Sequence, residues 1–410
     1  MSASSIQLDA WLDKVYGTGH EIPRPSEAEA ALRSNPELAR LAPYAAGDLE
    51  AIRANPSATH RGMPPLVAVT MSSLSRIRPN DFLACAEHLV KQGEPLDSWW
   101  EAPAFPGSRL TPLYGAAGMN HVASITKLLL DAGANPDDNE SLYHSIEAHD
   151  LTCFRLLLAA KANPNGCNAL LHALDYDRLE IIEALLAAGA DPNEERPALH
   201  WAIYRRRSPA HIRTLLNAGA DPTYKIHGMT MARMALYFGM KEAAAMLAER
   251  TGETFDQPID RFIAACTSAD RDTAKSLIQA DPTLIQKLPE GAHRLLPDLV
   301  QAKANSSVKL MVETGWPIEA IGGDWKATAL NLAIFRGDTD LTRFLLKHGA
   351  SWETQHGFGS DARGTLAWAS RNNPWADTLS CAKALIEAGM PKPSQVSDYS
   401  PAIQAYFASL

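Results

Sequence analysis

Apolar residues recur along this chain in short segments at helical spacing, and polar turns separate the segments. Within residues 169–187 the apolar positions are 170, 171, 173 and 174, followed by 179, 182, 185 and 186. Each set covers one face of a short helix. Neither helix can bury its apolar face alone, so the pattern predicts pairs of amphipathic helices that stack on neighbouring pairs.

A first phrase, L-L-x-x-G-A-D/N-P, marks the end of the second helix of each pair. An apolar helix end is followed by a glycine suited to a left-handed C-cap and by a proline that prevents the helix from continuing. Clear copies occupy residues 129–136, 157–164, 185–192 and 215–222, with Lys161 in place of the glycine in the second copy. Weaker copies end at Gly93, Gly315, Gly349 and Gly389.

A second phrase follows each first phrase in phase. It reads TPLY at 111–114, SLYH at 141–144, ALLH at 169–172, PALH at 197–200, TMAR at 230–233 and TALN at 328–331. The two phrases together resemble the ankyrin T-P-L-H-x-A signature and its helix pairs. The resemblance covers most of the chain, with about nine or ten units. It implies an all-α ankyrin-repeat solenoid of helix-turn-helix units with a concave groove.

The units are shorter than usual in the middle of the chain. An ankyrin unit commonly has 33 residues, whereas Gly133 to Lys161 and Lys161 to Gly189 each span 28. The loss falls where the family forms a projecting β-hairpin finger. We therefore expect short or missing fingers, reduced to tight turns, within residues 134–197. Longer fingers are expected at 93–111 and 349–364.

Divergence from the repeat pattern predicts four segments. Residues 1–58 are expected to form an N-terminal helical cap with a degenerate repeat, and residues 59–250 a first subarray of repeats. Residues 251–392 are expected to form a second subarray, divergent and then regular, and residues 393–410 a C-terminal helical cap. Residues 291–320 match the repeat pattern poorly, which indicates a bend or offset in the stack of helix pairs. The alternative is a single continuous solenoid.

Three histidines, His144, His172 and His200, lie 28 residues apart at the same place in successive units. A shared metal ion needs ligand nitrogens about 2 Å from the metal, whereas packed helices lie about 8–10 Å apart. No metal site and no other cofactor is therefore predicted. The resemblance implies a structural ladder instead, in which these side chains bond backbone groups across neighbouring turns.

Four residues after that place, the first helices end toward the predicted concave face with aromatic residues and interleaved charges. Tyrosine and arginine are enriched at binding hot spots, so we expect a partner to bind here. The alternative is that the rings pack between adjacent helices. This row of predicted partner-binding residues consists of His149, Tyr176, Asp177, Tyr204, Arg205, Tyr237, Phe238, Phe335 and Arg336.

Tryptophans in predicted loops add to this site. Trp99, Trp100 and Trp352 are expected to anchor a partner, and Trp375 to cover an apolar end of the stack. Trp201 and Trp368 follow the ladder place directly, where the family buries an apolar side chain, so we expect both in the core.

Composition and charge narrow the function further. The formal net charge of −9 argues against nucleic-acid binding. No stretch has about eighteen uninterrupted apolar residues, and the first residues lack the pattern of a secretory signal peptide. Five scattered cysteines without a CxxC pair indicate a reducing compartment. We expect a cytoplasmic monomer of bacterial style, with secretion as an effector as the alternative.

No catalytic motif stands out: G-x-S-x-G, the P-loop, H-E-x-x-H and a strand-linked GxGxxG are absent from the sequence. The sequence therefore predicts a protein-protein interaction module that binds through the concave groove and finger loops. A scaffold, an inhibitor or immunity-type partner, and an effector all fit. The alternative is an enzyme or small-molecule binder in the groove, which a deep pocket with converging His, Asp or Glu would favour.

Overall fold

Short α-helices joined by turns make up most of the chain. The computed structural model describes residues 3–17, 22–103, 105–194, 196–226 and 228–410, without side-chain detail for residues 3–6 and 290. This part of the chain contains 26 α-helices, one π-helix, two 3-10 helices and one two-stranded β-sheet. The predicted all-α repeat fold is confirmed.

The residues form two compact units, Met1–Glu194 (unit 1) and Glu195–Leu410 (unit 2). This boundary differs from the subarray boundary predicted at residue 250. The four predicted segments themselves stay a prediction.

Unit 1 starts with a helical cap and continues as five helix pairs. The helices are α1 Ala3–Tyr16, α2 Pro25–Ser34, α3 Glu37–Leu41, α4 Pro43–Ala46, α5 Leu49–Ala54, α6 Pro65–Met71, a 3-10 helix Ser73–Arg76, α7 Pro79–Lys91, the π-helix Tyr114–Met119, α8 Ala123–Ala132, α9 Ser141–Ser145, α10 Thr152–Ala159, α11 Ala169–Asp175 and α12 Leu179–Ala187. The first helices of the pairs, α4, α6, the π-helix, α9 and α11, contact one another in that order.

The two phrases explain where these helices begin and end. Gly133 and Gly189 follow the second helices with left-handed φ angles of 99° and 97°, a region that glycine enters without steric cost. Lys161 takes the same place with φ 62°. The apolar positions of α11 and α12 lie in the core, with Leu174 and Leu185 fully buried. Burial of both faces between neighbouring pairs is the main stabilising contribution.

The finger segments of unit 1 differ in length as expected. Residues 134–140 and 162–168, all described, contain no strand. Side chains link these turns: the backbone N–H of Asn163 donates to Asp137 (2.6 Å), and that of Asp191 donates to Asn165 (2.7 Å). The longer finger at 93–111 closes with an antiparallel bridge between Trp100 and Leu110. The prediction of clipped central fingers is confirmed.

Unit 2 contains six helix pairs and a terminal helix. Its elements are α13 Ala198–Tyr204, α14 Pro209–Asn217, β1 Lys225–Ile226, β2 Met229–Thr230, α15 Met231–Tyr237, α16 Lys241–Thr251, α17 Pro258–Thr267, α18 Arg271–Ala280, a 3-10 helix Pro282–Leu284, α19 Glu290–His293, α20 Leu295–Gln301, α21 Asn305–Glu313, α22 Ala329–Phe335, α23 Thr339–Lys347, α24 Ala362–Asn372, α25 Thr378–Glu387 and α26 Pro401–Ala408. The antiparallel strands β1 and β2 pair Lys225 with Thr230 and Ile226 with Met229.

The stack of unit 2 is irregular near its middle. Helices α13, α15 and α17 contact in order, as do α20, α22 and α24, but α17 packs against α21. The short helices at 282–284 and 290–293 lie between these two runs along the chain. Residues 291–320, a poor match in sequence, nevertheless contain the helix pair α20 and α21. The two units together hold eleven pairs in the described residues, more than the nine or ten predicted.

Helix α26 lies within the segment 393–410 that the sequence predicts as a C-terminal helical cap, and its Ile403 and Phe407 are buried. Among the residues that the structure describes, no helix has both the length and the apolar character needed to cross a membrane.

Candidate functional site

A cleft of about 750 Å³ opens in unit 1. Helix α1 contributes Asp13 and Tyr16 to its wall, and the long finger contributes Trp100 and Phe105. The π-helix and α9 contribute Tyr114 and His144 respectively, each from the first helix of its pair. The cleft therefore combines residues from the N-terminal cap, one finger and two successive repeats.

Local hydrogen bonds fix the finger at the wall of the cleft. The Trp100 indole N–H donates to the backbone carbonyl of Arg61 (2.9 Å). The finger's own turn is closed by the N–H of Ala102, which donates to Ser108 Oγ (3.1 Å). Phe105 lies at this turn and is 59% exposed. An exposed phenylalanine on a fixed turn is a preorganised apolar contact.

The floor of the cleft depends on close packing of the π-helix. A Cβ atom at Gly115 would lie 2.6 Å from Thr70 Oγ1, so only glycine lets the π-helix lie directly on α6. A Cβ atom at Gly118 would lie 2.7 Å from the Tyr114 ring and 3.1 Å from His144 Cβ. These two glycines therefore set the position of Tyr114 in the floor.

Five rings continue from the cleft along the first helices of unit 1. We call Tyr114, His144, Tyr143, His172 and Tyr176 the unit 1 row. Tyr114 and His144 meet edge to face at 5.4 Å, Tyr143 stacks on His172 at 3.8 Å, and His172 meets Tyr176 edge to face at 5.0 Å between ring centroids. Such ring pairs fix each other's orientation and present a continuous aromatic surface with polar tips.

Two glutamates set the charge of this row. His144 bonds Glu147 through Nδ1 (2.8 Å) and lies 3.3 Å from Glu140 through Nε2. Burial lowers the pKa of His144, but these hydrogen bonds and the carboxylate charges outweigh it and raise the pKa to about 9. Burial raises the pKa of Glu147, yet its bonds to His144 and His172 lower it to about 2. At neutral pH the centre is an imidazolium ion between two carboxylates.

The histidine ladder has a different chemistry from the one predicted. His144 and His172 both bond the carboxylate of Glu147, at 2.8 and 3.0 Å, instead of backbone groups. His200 belongs to unit 2, where its ring stacks on Tyr204 at 6.2 Å between centroids. The repeat pattern predicts histidine at the ladder place. It does not predict that Glu147, three residues after His144, bonds both His144 and His172.

Carboxylates also border the cleft at the finger turns. Asp97, Asp137 and Asp138, together with Trp99 and Arg109, line a neighbouring recess of about 310 Å³. Arg109 lies 5.1 Å above the Trp99 ring. Asp97 and Asp138 accept backbone N–H groups of the adjoining turns, so their charges are fixed in place.

Three groups that catalysis could use are not poised for it at neutral pH: the Cys85 and Cys266 thiols and the His144 ring. No group of three metal-ligating side chains occurs among the described residues. Burial raises the pKa of the Cys85 and Cys266 thiols to about 12, so neither supplies a thiolate at neutral pH. A protonated His144, bonded through both ring nitrogens, is not a general base at neutral pH. The cleft is suited to binding through apolar contact and charge.

The predicted partner-binding residues of unit 1 are accessible. Tyr176 is 46% exposed, and His149 and Asp177 lie on the surface as well. Trp99 is exposed on the finger, and Trp100 is half-buried in the wall of the cleft. Their role in binding stays a prediction. Trp99 and Trp100 are partly covered by neighbouring residues, since Arg109 lies over the Trp99 ring and Trp100 bonds the Arg61 carbonyl.

In unit 2 three predicted contact residues are buried, which corrects the expectation of one open aromatic row. Tyr237 and Phe238 are 1% exposed and Tyr204 is 6% exposed. The Tyr237 hydroxyl donates to Asp260 (2.6 Å), and the Tyr204 hydroxyl donates to Gln301 at the end of α20 (3.3 Å). These rings pack inside unit 2, which is the alternative that the sequence left open.

An ion pair and a cation–π contact lie beside Tyr204, at the end of α13. Arg205 covers the Trp201 ring at 4.5 Å and pairs with Asp324 at 3.3 Å. Asp324 belongs to the turn before α22 and Gln301 to α20, so later parts of unit 2 reach back to the end of α13. Arg205 is therefore engaged within its own unit.

The remaining predicted residues lie in the later repeats of unit 2. Phe335 is half-buried, and Arg336 bonds the Val300 carbonyl and pairs with Asp338. Trp352 is half-buried against Gly389. Two expectations are wrong: Trp368, predicted in the core, is 51% exposed, and Trp375, predicted to cover an apolar end, is 93% exposed.

Sequence reasoning missed several residues of the unit 1 cleft. Tyr16 lies in the cap, Arg61 in the connection between α5 and α6, and Phe105 in the finger, so none of them belongs to a repeat phrase. Glu147 carried a usable signal, because it follows His144 by three residues and so shares a helix face with it. Tyr114 occupies the ladder place of its unit, which the TPLY phrase already marked.

Two family models of known repeats match parts of this chain. A family model described as ankyrin repeats (3 copies) matches residues 113–196, and a single-repeat ankyrin model matches residues 325–356. Among solved structures, the human ASB11 ankyrin repeat domain is similar at 20% identity, covering 55% of this chain and 99% of that chain with a TM-score of 0.27. Comparison with curated proteins finds no match.

The chain therefore contains ankyrin repeats and has the ankyrin-repeat fold. Proteins of this class are generally protein-protein interaction modules and are typically not enzymes.

Proposed function

We propose that this chain is a protein-binding module and that the unit 1 cleft holds an apolar side chain of its partner, flanked by basic residues. The observation that carries the proposal is the cleft of about 750 Å³, walled by Trp100, Phe105 and Tyr114. Aromatic anchors in a preformed recess are the usual centre of a binding hot spot. The unit 1 row extends this surface beyond the cleft.

Charge supports a basic partner. Asp97, Asp137 and Asp138 line the recess at the finger turns with one cation, Arg109. At the cleft, the charge of Glu140 is partly neutralised by His144. The whole chain has a formal net charge of −9. Complementary charge steers association and selects partners more than it adds affinity. Binding should therefore weaken as salt concentration rises, through a slower association rate.

The proposal extends to a reducing, cytoplasmic setting and a monomeric module. Five cysteines of the described residues are free, and four of them are buried. Scaffold, inhibitor or immunity-type partner, and secreted effector share the same binding step. The identity of the captured protein would separate these roles.

Affinity purification with mass spectrometry tests the proposal, followed by titration of each captured protein with the full chain. Phe105→Ala should weaken binding of the true partner by about tenfold or more, because it removes an exposed anchor. Its melting temperature should stay close to that of the wild type, since the ring is 59% exposed.

Trp375→Ala is the matched control, because it also removes an exposed aromatic ring but lies in unit 2, 93% exposed. It should leave binding unchanged. Equal binding by the wild type and Phe105→Ala, or equal weakening by both variants, would contradict a partner site in the cleft.

A small molecule is the second candidate, since the cleft volume falls within the ~300–1,000 Å³ typical of ligand pockets. A metabolite library screened by thermal shift distinguishes the two candidates. A compound that stabilises the wild type but not Phe105→Ala would favour the small-molecule function. Competition between that compound and the protein partner would show that both use the cleft.

A further inference from the structure

A second row of aromatic rings lies on unit 2, outside the site described above. We call Phe358, His356, Trp325, Phe335 and Trp368 the unit 2 row. Successive ring centroids are 6.0, 4.8, 5.5 and 5.5 Å apart in that order. Phe335 and Trp368 stack at 18°, whereas Trp325 and His356 meet edge to face. Only Phe335 of this row was predicted to bind a partner.

The row is exposed at both ends. Phe358 is 81% exposed and Trp368 is 51% exposed, while the three rings between them are half-buried. Exposed aromatic rings in contact with one another are uncommon on a surface that binds nothing. The row is therefore a candidate interaction surface.

Backbone hydrogen bonds fix the loops that carry the row. The N–H of Gly357 donates to the Trp325 carbonyl (3.0 Å), and the N–H of His356 donates to the Ser360 carbonyl (2.8 Å). Gly322 and Ala327 form an antiparallel bridge on either side of Trp325. At the other end, the Asn373 side chain donates to the Phe335 carbonyl (3.0 Å). Rings on fixed loops lose little freedom on binding.

Two unpaired cations flank the row. Lys326 follows Trp325 directly, and Arg371 follows Trp368 by three residues on α24, one helical turn away. Both are exposed, and neither makes an ion pair with another described residue. Burial lowers the pKa of His356, so this ring is neutral at pH 7 and stays an aromatic contact.

The indole groups add hydrogen-bond donors. Within the described part of the chain, the N–H groups of Trp325 and Trp368 donate to no protein atom. An indole N–H beside an exposed ring face is free to donate to a partner's carbonyl group. The row therefore offers apolar ring faces, two donors and two positive charges.

We propose that the unit 2 row binds a proline-rich segment in the polyproline II conformation, with acidic residues on either side of the prolines. Such a helix repeats every three residues and rises about 9 Å per turn. Prolines one turn apart would lie over every second ring, given ring intervals of about 5–6 Å. Its backbone carbonyls are not used internally and can accept from Trp325 and Trp368.

Single-stranded nucleic acid also stacks on aromatic rows with cations nearby. The row is poorer in positive charge than that role requires, because only Lys326 and Arg371 are unpaired cations beside it. A polypeptide with a few carboxylates matches two positive charges better.

Two displayed libraries of twelve-residue peptides test the proposal with the full chain. One library has proline at every third position, and the other has alanine at those positions; all other positions vary. Binders should come from the proline library and should be enriched in Asp and Glu near the ends. The best peptide, with oligothymidylate as a second probe, is then titrated by fluorescence anisotropy.

Three variants locate the binding site. Phe358→Ala and Trp368→Ala should each weaken the selected peptide about tenfold, and Phe358→Ala cannot disturb the core because its ring is 81% exposed. Trp375→Ala removes a still more exposed ring of unit 2, outside the row, and should change nothing. Phe105→Ala in unit 1 should also change nothing, which separates this site from the proposed cleft.

Several outcomes would overturn the proposal. If equally tight binders came from the alanine library, the row would not require a peptide in the polyproline II conformation. Tighter binding of oligothymidylate than of every selected peptide would assign the row to nucleic acid. Loss of peptide binding in Trp375→Ala, or none in Phe358→Ala and Trp368→Ala, would place the peptide elsewhere.

Discussion

The two units use aromatic residues at the same place in the repeat in opposite ways. Tyr176 is the residue directly after helix α11 of unit 1 and is 46% exposed. Tyr204 and Tyr237 are the equivalent residues of α13 and α15 in unit 2, and they are 6% and 1% exposed. The repeat phrase assigns all three tyrosines to the same place in the repeat, yet only Tyr176 is exposed there.

The difference arises from what each unit packs against that face. In unit 2 the end of α20 reaches Tyr204, and the turn before α22 reaches Arg205. In unit 1 the finger at 93–111 and helix α1 flank the face without covering it, and a cleft remains. A position in a repeat therefore fixes the direction of a side chain, while distant segments decide its exposure.

The largest expected effect is on stability in unit 2. Tyr237→Ala should lower the free energy of unfolding by about 3–5 kcal/mol, because it empties a buried ring site and leaves Asp260, 1% exposed, without its hydroxyl donor. Urea titration of the full chain measures the change. Tyr176→Ala, at the exposed position, should cost less than about 1 kcal/mol.

Tyr237→Phe serves as the control for the hydrogen bond alone. It keeps the ring and should cost about 1–3 kcal/mol, for the lost bond to Asp260. If Tyr237→Ala and Tyr176→Ala had equally small effects, the contrast between the two units would be wrong.

This contrast also shows how far sequence reasoning extends. The helix pairs were predictable because each needs only local signals: apolar spacing, a glycine such as Gly189 and a proline such as Pro192. The tight turns of unit 1 were predictable from the 28-residue spacing. Both features depend on neighbours within one or two repeats.

Features that need distant contacts were not predictable. Trp368 lies where the family buries an apolar side chain, but here it stacks on Phe335 at the surface. The unit 1 cleft brings Tyr16 of the cap near Tyr114 of a repeat, nearly a hundred residues later in the chain. No spacing rule connects such positions, so the sequence alone could not predict them.

An intermediate effect is expected in the floor of the cleft. Gly118→Ala should lower the free energy of unfolding by about 1–3 kcal/mol, because the added methyl group would lie 2.7 Å from the Tyr114 ring. Partner binding to unit 1 should fall as well, since Tyr114 lines the cleft. Unchanged stability and binding would show that the ring moves aside freely.

A smaller effect follows from the His144 centre of unit 1. The pKa of His144, about 9, lies above the ordinary 6.5. Its contribution to the free energy of unfolding is therefore complete below pH 6.5 and is lost as pH rises through 9. Glu147, with a pKa of about 2, stabilises the fold fully above pH 4.5, and this stabilisation is lost as pH falls through 2. Both contributions are present between pH 4.5 and 6.5.

Raising the pH from 6.5 to 9.5 should therefore cost on the order of 1 kcal/mol after screening by solvent. Urea titrations at the two pH values measure it. His144→Gln should show a flatter profile over this range, because it lacks the titrating ring. An equally steep profile in the variant would mean that other groups carry the pH dependence.

The smallest effect tests what holds α20 over the aromatic residues of unit 2. Arg205→Ala removes the ion pair with Asp324 and the contact with Trp201, and should cost no more than about 1 kcal/mol because the pair is partly solvated. Arg213→Ala, which removes a more exposed pair with Glu242, is the matched control and should cost less. A loss above about 2 kcal/mol in Arg205→Ala alone would mean that charge, and not ring burial, closes this face. In that case high salt would expose Tyr204 and make unit 2 resemble unit 1, whereas burial of the rings predicts that salt leaves the two units different.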